Sequence, residues 1–346
     1  MNKNLKRTLL IGLCILLGLI LAAMIIGTIY VESVFGRISG LNEETLSSSE
    51  IADIMNMTGD PNDVDPTAPT IDPEDVTMPS EPVDVIVSGE NVINILLVGQ
   101  DRREGQGRQR SDAMILCTIN KNTKTITLTS FLRDMYVTIP NYYRSRINAA
   151  YQLGGFKTLN STLEYNFGVR ADHCIEVDFS GFRDIINVLG GVDVELTKAE
   201  ADYLNKKGNW DTDQGNFDWH LVAGVNHLDG DQALAYSRIR ALDSDWGRTN
   251  RQRVVLNALM QKAKTMDLTQ INDFINQVIP MIATDMTPSE ITGYALELLP
   301  MLSGATIKSQ SIPADGTWQY ATINGASVIT VNFEKNQQVL CETIGE

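Results

Sequence analysis

Between Arg238 and Arg253 the chain places five arginines and no lysine, in the run Ser-Arg-Ile-Arg-Ala-Leu-Asp-Ser-Asp-Trp-Gly-Arg-Thr-Asn-Arg-Gln-Arg that starts at Ser237. The whole chain has 16 Arg and 12 Lys, so this exclusion is selective. A guanidinium is a rigid planar fork that grips two phosphate oxygens at once, whereas an ammonium is a flexible point charge. The run therefore points to a site for a di- or polyanion. The plain alternative is a salt-bridged helix start, since Asp243 and Asp245 lie inside it. Arg248, Arg251 and Gln252 are spaced i, i+3, i+4 and share one face where a helix over Val254–Ala263 begins. A helix N-terminus adds unpaired N–H groups and a positive dipole end. Arg238 and Arg240, two apart in an extended segment, point to one side.

Two further clusters follow predicted strand ends. Asp101 comes directly after Gly99-Gln100, and Arg110-Ser-Asp112 immediately precedes the next strand. If the intervening loop folds back, Asp101 and Asp112 approach each other and hold one hard divalent cation, with substrate oxygens and water completing its octahedron. Arg133-Asp134 follows the third strand. Two carboxylates and several arginines at one sheet edge supply the charge neutralisation and positioning that metal-assisted phosphoryl transfer needs. The histidines, His173, His220 and His227, are scattered, and no Cys/His spacing suits a zinc site or a Ser-His-Asp triad.

These residues need a scaffold, and the pattern supplies one. Ile93–Val98 reads as a buried strand ending at Gly99; Ala113–Ile119 and Thr125–Phe131 flank a polar turn and read as an antiparallel pair. Phe156, Leu159, Leu163 and Phe167 keep helical spacing up to Gly168. Cys174–Phe179 reads as a strand leading into a helix with Ser180 as N-cap and Gly190-Gly191 as its stop, followed by a strand at Val192–Leu196. Asn209–His220 reads as an exposed loop. Further on, Ile271–Ile279 and Ser289–Leu299 read as helices, Ile307–Ile312 and Ser327–Val331 as strands, and Glu334–Thr343 as a last helix. The alternation implies an α/β fold, a mixed central sheet covered by helices on both faces.

Ahead of this lies a different kind of sequence. An uncharged apolar run from Leu9 to Ile29 is long enough, at ~1.5 Å per residue, to cross the ~30 Å hydrocarbon core of a bilayer. Lys3, Lys6 and Arg7 place its N-terminal flank in the cytoplasm. Residues 38–100 hold thirteen Asp or Glu and no Lys or Arg, a net of −13 against −15 for the whole chain. The expected organisation is a cytoplasmic tail at 1–7, a transmembrane helix at 8–31, an acidic Pro-rich linker at 32–87 and an extracellular catalytic domain at 88–346. From Asp101 onward the balance is 24 basic to 29 acidic residues, so the acidity belongs mostly to the tether. Cys117 and Cys174 read as buried free thiols, with a bridge between them as the alternative.

The motifs together resemble the LytR-CpsA-Psr family: Asn94–Gly99 with Asp101, Arg110-Ser-Asp112, Arg133-Asp134, Arg146-Ile-Asn-Ala-Ala-Tyr151, Val177-Asp-Phe179, Gly190-Gly-Val192 and the block from Ala233 to Gln252. The resemblance covers about Val92–Ala263, and a single membrane anchor also matches. It implies an extracellular α-β-α domain that binds polyprenyl-linked phosphate or pyrophosphate, with the lipid tail in a hydrophobic pocket between sheet and helices. It further implies attachment of a secondary glycopolymer, such as teichoic acid or capsule, to peptidoglycan in a Gram-positive cell wall. Carried over by motif, Asp101 and Asp112 would hold Mg2+ or Mn2+. Arg133, Arg238, Arg240, Arg248 and Gln252 would bind phosphate, joined by Arg110 and by Arg146, which stands where the family often has lysine. Asp112 or Asp134 would be the general base, with Arg133 beside them. No nucleic-acid partner is expected. The same residues would serve a polyprenyl-diphosphate pyrophosphatase or a non-catalytic lipid-phosphate sensor, and the acceptor distinguishes these readings.

Overall fold

The computed structural model describes residues 40–41, 45–55, 67–102, 106–206, 209, 218–302 and 304–345. In chain order these form α1 (Ser48–Met55), β1 (Val92–Gln100), β2 (Ser111–Asn120), β3 (Thr125–Phe131), β4 (Tyr136–Thr138), β5 (Arg144–Arg146), α2 (Asn148–Phe167), β6 (His173–Asp178), α3 (Phe179–Val188) and β7 (Val192–Leu196). There follow α4 (Lys198–Asn205), β8 (Gly224–Leu228), α5 (Gly230–Arg238), α6 (Asp245–Ala263), α7 (Leu268–Val278), β9 (Ala283–Thr284), α8 (Pro288–Leu302), β10 (Thr306–Ile312), β11 (Trp318–Ile323), β12 (Ala326–Val331) and α9 (Phe333–Ile344).

β1 is buried along most of its length because it lies inside the sheet, which runs β10-β3-β2-β1-β6-β9. β1 pairs antiparallel with β2 and parallel with β6, so the sheet is mixed as expected. Alternate residues serve opposite cores. Leu96, Val98, Met114 and Leu116 meet Tyr151, Leu159, Leu163 and Phe167 of α2 and Leu340 of α9. Ile93, Ile95, Ile115 and Ile119 meet Leu256 and Met260 of α6 and Leu298 and Met301 of α8. Helices thus cover both faces. The free thiols follow the same alternation: Cys117 pairs with Ile95 and Cys174 with Leu96, so they face opposite cores and cannot bridge.

Several boundaries differ from expectation. α2 starts at Asn148, eight residues before Phe156, because a kink at Gly154-Gly155, where Gly155 has φ 60°, lets two helical pieces join and masks their common periodicity. Asp178, not Ser180, caps α3, its carboxylate accepting from Gly181 N at 2.8 Å. α6 begins at Asp245 behind the Ser244 cap, so the arginines lie within its first turns rather than ahead of it. Val192–Leu196 pairs with β8 in a separate ladder. Residues 210–217 of the expected exposed loop lie outside the described residues.

The stretch expected to be an extended linker is largely docked where it is described. Ile54 of α1 and Ile86 are each 8% exposed and join the main core. Ile71 N bonds Thr322 O, Val83 N bonds Tyr165 O and Ile86 N bonds Gly168 O. Sparse apolar residues at the right spacing suffice for docking even in an acidic, proline-rich sequence. The expected span at 8–31 lies outside the described residues, among which no helix is long and apolar enough to cross a membrane.

Candidate active site

The carboxyl end of β1 and the start of β2 lie side by side, and an irregularity between Gly99 and Gln100 shifts their register. Such a bulge re-aims side chains at a sheet edge. Asp101 and Asp112 consequently line one cavity of about 620 Å³, together with Arg110, Arg133 from the end of β3, Arg146 from β5 and Arg240 from the turn after α5. Asp53 and Ile54 of α1 and Gln109, Asn148 and Gln152 complete the lining. The sequence expectation that Asp101, Asp112 and several arginines meet at one sheet edge holds in the structure.

Arg133 is the centre of the cluster. Its Nη1 donates to Asp112 Oδ1 at 2.6 Å, and its Nε lies 3.5 Å from Asp134 and 3.6 Å from Asp245. Burial pulls its pKa down, but Asp134, Asp245 and Asp112 more than offset this and raise it above the ordinary value. Asp134 is held 3.5 Å from Arg146 Nη1 as well and does not line the cavity. Arg240 Nη2 stands 3.8 Å from Asp112 Oδ1. Arg110 donates from Nη2 to Ile54 O at 2.9 Å, and burial first, then Arg146, lowers its pKa.

Behind this front row Arg248 is 3% exposed and paired with Asp245. Burial lowers the guanidinium pKa to about 10, with Arg133 and Arg240 adding to the effect. Burial also raises the pKa of Asp245, against the pull of Arg248. Burial is the largest cause of both shifts and opposes the charged forms of the pair. No guanidinium nitrogen of Arg248 makes a well-formed hydrogen bond. Arg248 sits in the cluster through Asp245 and does not line the cavity.

The other arginines of the run go elsewhere. Arg238 ends α5 and stacks over the Phe179 ring at 4.6 Å, so it does not share an extended face with Arg240. Gln252 lies on α6 outside the cavity lining. Arg251, 5% exposed, donates from Nε to Glu200 at 2.7 Å and from Nη1 and Nη2 to the two oxygens of Asp243 at 3.0 and 2.7 Å. The salt-bridged alternative thus holds for Arg251, whereas Arg240 lines the cavity.

Some contributors were not foreseen. Arg108, 4% exposed, donates to Gln152 O and Leu153 O, carbonyls at the Gly154-Gly155 kink, and so fixes the loop that carries Arg110. The glycine pair was the available signal. Asp53 and Ile54 were hidden by the reading of α1 as linker, although Ile51, Ile54 and Met55 keep helical spacing. Asn148 Oδ1 is buried without a hydrogen-bond partner and lines the cavity.

Asn148 bears on the expected metal. Asp101, Asp112 and the Asn148 carbonyl are hard oxygen donors around one space, a set that fits Mg2+ or Mn2+, which commonly take one or two carboxylates plus phosphates and water. Among the described residues no group of three or more His, Cys, Asp or Glu is arranged to cage a metal. The lining carries Arg110, Arg133, Arg146 and Arg240 against Asp53, Asp101 and Asp112, so it is already net positive by one charge. A divalent cation would add to the positive charge that a pyrophosphate needs. The cavity lining is polar apart from Ile54, so the expected hydrophobic tail pocket is not part of it.

The model of the LytR_cpsA_psr family matches residues 60–343. The chain belongs to this family. A relative described as polyisoprenyl-teichoic acid–peptidoglycan teichoic acid transferase TagT, from Bacillus subtilis strain 168, is 36% identical over 257 residues, 72% of this chain and 76% of its own length. The TagU transferase of Bacillus anthracis strain CDC 684 / NRRL 3495 is 32% identical over 244 residues, 68% of this chain and 75% of its own. A solved structure of the family protein YwtF (TagT) with bound octaprenyl pyrophosphate lipid superposes with a TM-score of 0.57 at 25% identity, covering 78% of this chain and 100% of that one. The LytR-CpsA-Psr match begins at residue 60, ahead of the expected domain start, in keeping with the docked segment before β1.

Proposed function

We propose that this chain moves a glycopolymer from a polyprenyl pyrophosphate carrier to peptidoglycan, releasing polyprenyl phosphate. The convergence of Arg110, Arg133, Arg146 and Arg240 with Asp101 and Asp112 on one cavity carries the reading. The teichoic acid transferase activity for which TagT and TagU are named, and the pyrophosphate lipid bound to TagT, support it. The apolar run at 8–31 would anchor the protein as a single-pass helix with its N-terminus in the cytoplasm and the remainder outside.

In this reading the arginines hold the two phosphates of the donor and orient them for in-line attack. An acceptor hydroxyl forms the new bond to the sugar-side phosphorus, and the bridging oxygen leaves with the lipid phosphate. The hydroxyl's proton passes to a carboxylate. Asp112 is the better placed of the two candidates, because it lines the cavity and Asp134 does not. Asp134 and Asp245 would instead fix the Arg133 guanidinium. Asp101, Asp112 and Asn148 would hold the divalent cation, which supplies charge neutralisation when bound.

The test is transfer from a polyprenyl-pyrophosphate oligosaccharide to peptidoglycan by the full chain in detergent, with and without Mg2+. Arg240→Lys keeps the charge but loses the bidentate grip, and activity should fall on the order of tenfold for a charge-assisted contact of ~1.5 kcal/mol. Asp112→Asn should weaken Mg2+ binding measured calorimetrically with inorganic pyrophosphate. Release of sugar phosphate into water without transfer would identify a pyrophosphatase. Tight lipid binding with no turnover under any metal would identify a sensor.

A further inference from the structure

The sheet face beneath α2 and α9 changes character along its strands. At the arginine end it presents Leu96, Val98, Met114 and Leu116. Toward the other end the same face carries a polar cross-strand row: Asn94 pairs with Thr118, Thr118 with Thr127, and Thr127 with Lys308. Asn120 and Thr125 pair in the next row. A sheet face under a helix is ordinarily apolar. Here Asn94, Thr118, Asn120 and Thr127 are buried to within 0%, 2%, 4% and 7% exposure. Thr118, Asn120, Thr125, Thr127 and Lys308, with Glu342 and Thr343 from the last turn of α9, line a cavity of about 560 Å³.

Asn120 shows what the cavity wants. Its Oδ1 accepts from the backbone N–H groups of Asn122 and Thr123, both at 3.0 Å, which fixes the orientation of the amide. Its Nδ2 is buried with no protein acceptor. A buried donor left unmet is costly and calls for a carbonyl or hydroxyl oxygen. Around it the threonines offer hydroxyls that give or take a hydrogen bond and methyl groups that pack against C–H. The one Lys and one Glu in the lining balance, so neither anion nor cation is favoured. The size falls within the roughly 300–1,000 Å³ of small-molecule sites.

We propose that this cavity binds an acetamido sugar, its amide carbonyl accepting from Asn120 Nδ2 and its hydroxyls meeting the threonines. The site is separate from the arginine cavity: Asn120 pairs with Val92 and Ser111 with Gln100, at opposite ends of β1. At ~3.3 Å per residue this separation is roughly 25 Å. A second hold on a glycan at that distance would raise the local concentration of the chain near the strand it engages. The assignment does not depend on the transferase reading.

The experiment titrates the full chain in detergent with N,N′-diacetylchitobiose and, separately, with cellobiose, which lacks the acetamido groups, by calorimetry and saturation-transfer NMR. Saturable binding of diacetylchitobiose is expected, with cellobiose at least about threefold weaker, the smaller end of one lost hydrogen bond. Thr127→Val keeps shape and strand preference and should weaken binding about threefold to tenfold; Thr125→Tyr should fill the cavity and abolish it. Thermal unfolding of both variants checks the fold. Inorganic pyrophosphate should not compete. Absence of binding, equal binding of the two sugars, undiminished binding in a folded Thr125→Tyr protein, or displacement by pyrophosphate would each overturn the proposal.

Discussion

Replacing Arg251 separates a structural arginine from a cavity-lining one, Arg240, within a single run. Its guanidinium makes one hydrogen bond to Glu200, two to Asp243 and one to Ile239 O, and it lies over the Tyr236 ring at 5.9 Å. Burial alone would lower its pKa, but the bonds to Asp243 and Glu200 raise it. The residue therefore ties α4 and the turn carrying Arg240 to α6. Arg251→Met leaves Glu200 Oε1 and Ile239 O without a partner in a buried setting, while Glu200 Oε2 keeps its bonds from Thr197. Breaking a buried pair from one side costs about 3–5 kcal/mol, a large share of the ~5–15 kcal/mol by which a domain is stable. At ~2–4 °C per kcal/mol for a domain of this size, the Tm should fall on the order of 10 °C. Arg251→Lys should recover only a minor part, since one ammonium cannot serve both acids and the carbonyl. Urea unfolding gives the stability, and calorimetry with inorganic pyrophosphate and Mg2+ on the remaining folded protein gives the affinity. A variant that keeps its stability within about 1 kcal/mol but loses pyrophosphate affinity would refute the reasoning and return Arg251 to the phosphate face.

Thiol chemistry provides a second check: Cys341 is exposed and should react with maleimide in the native protein, whereas buried Cys117 and Cys174 should react only after unfolding. Burial pushes the Cys117 thiol up to about 12 from an ordinary 9.0, so between those values the unfolded chain gives up a proton that the folded chain keeps. Stability should consequently fall as pH rises above 9, by up to ~1.4 kcal/mol per pH unit from this group, and Cys117→Ala should flatten that limb of urea midpoints against pH. A fragment beginning at residue 88 should be less stable than one beginning at residue 67 by at least about 2 kcal/mol, because it loses the buried Ile86 and the backbone bonds from Ile71, Val83 and Ile86; equal urea midpoints would show the segment contributes nothing.

The sheet was legible because β1 to β3 are long apolar runs with a polar turn between them, and strand ends then located Asp101, Asp112 and Arg133. The cavity was legible to the extent that its residues sit at those ends. What escaped depended on tertiary contacts that have no local period. Arg238 and Arg251 look like Arg240 in sequence, yet Phe179 takes one and Glu200 with Asp243 the other. The kink at Gly154-Gly155 broke the pattern of α2, and composition concealed α1, whose few apolar residues are weighed against many acids only when the core they reach is known.

The docking of α1 at the rim of the arginine cavity also sets a leash length. With the run at 8–31 in the bilayer as proposed, a tether of residues 32–87 would allow a reach of nearly 200 Å at ~3.3–3.6 Å per residue. Because Arg110 fastens Ile54 O and Leu41 and Leu46 already pack against the main core, the chain is held to the domain from Leu41 on, and nine residues, 32–40, separate it from the proposed span. The fully extended length of nine residues is about 30 Å. The cavity would then patrol a thin shell above the membrane, where a lipid-borne donor is always within range and the acceptor must be whatever part of the wall lies nearest.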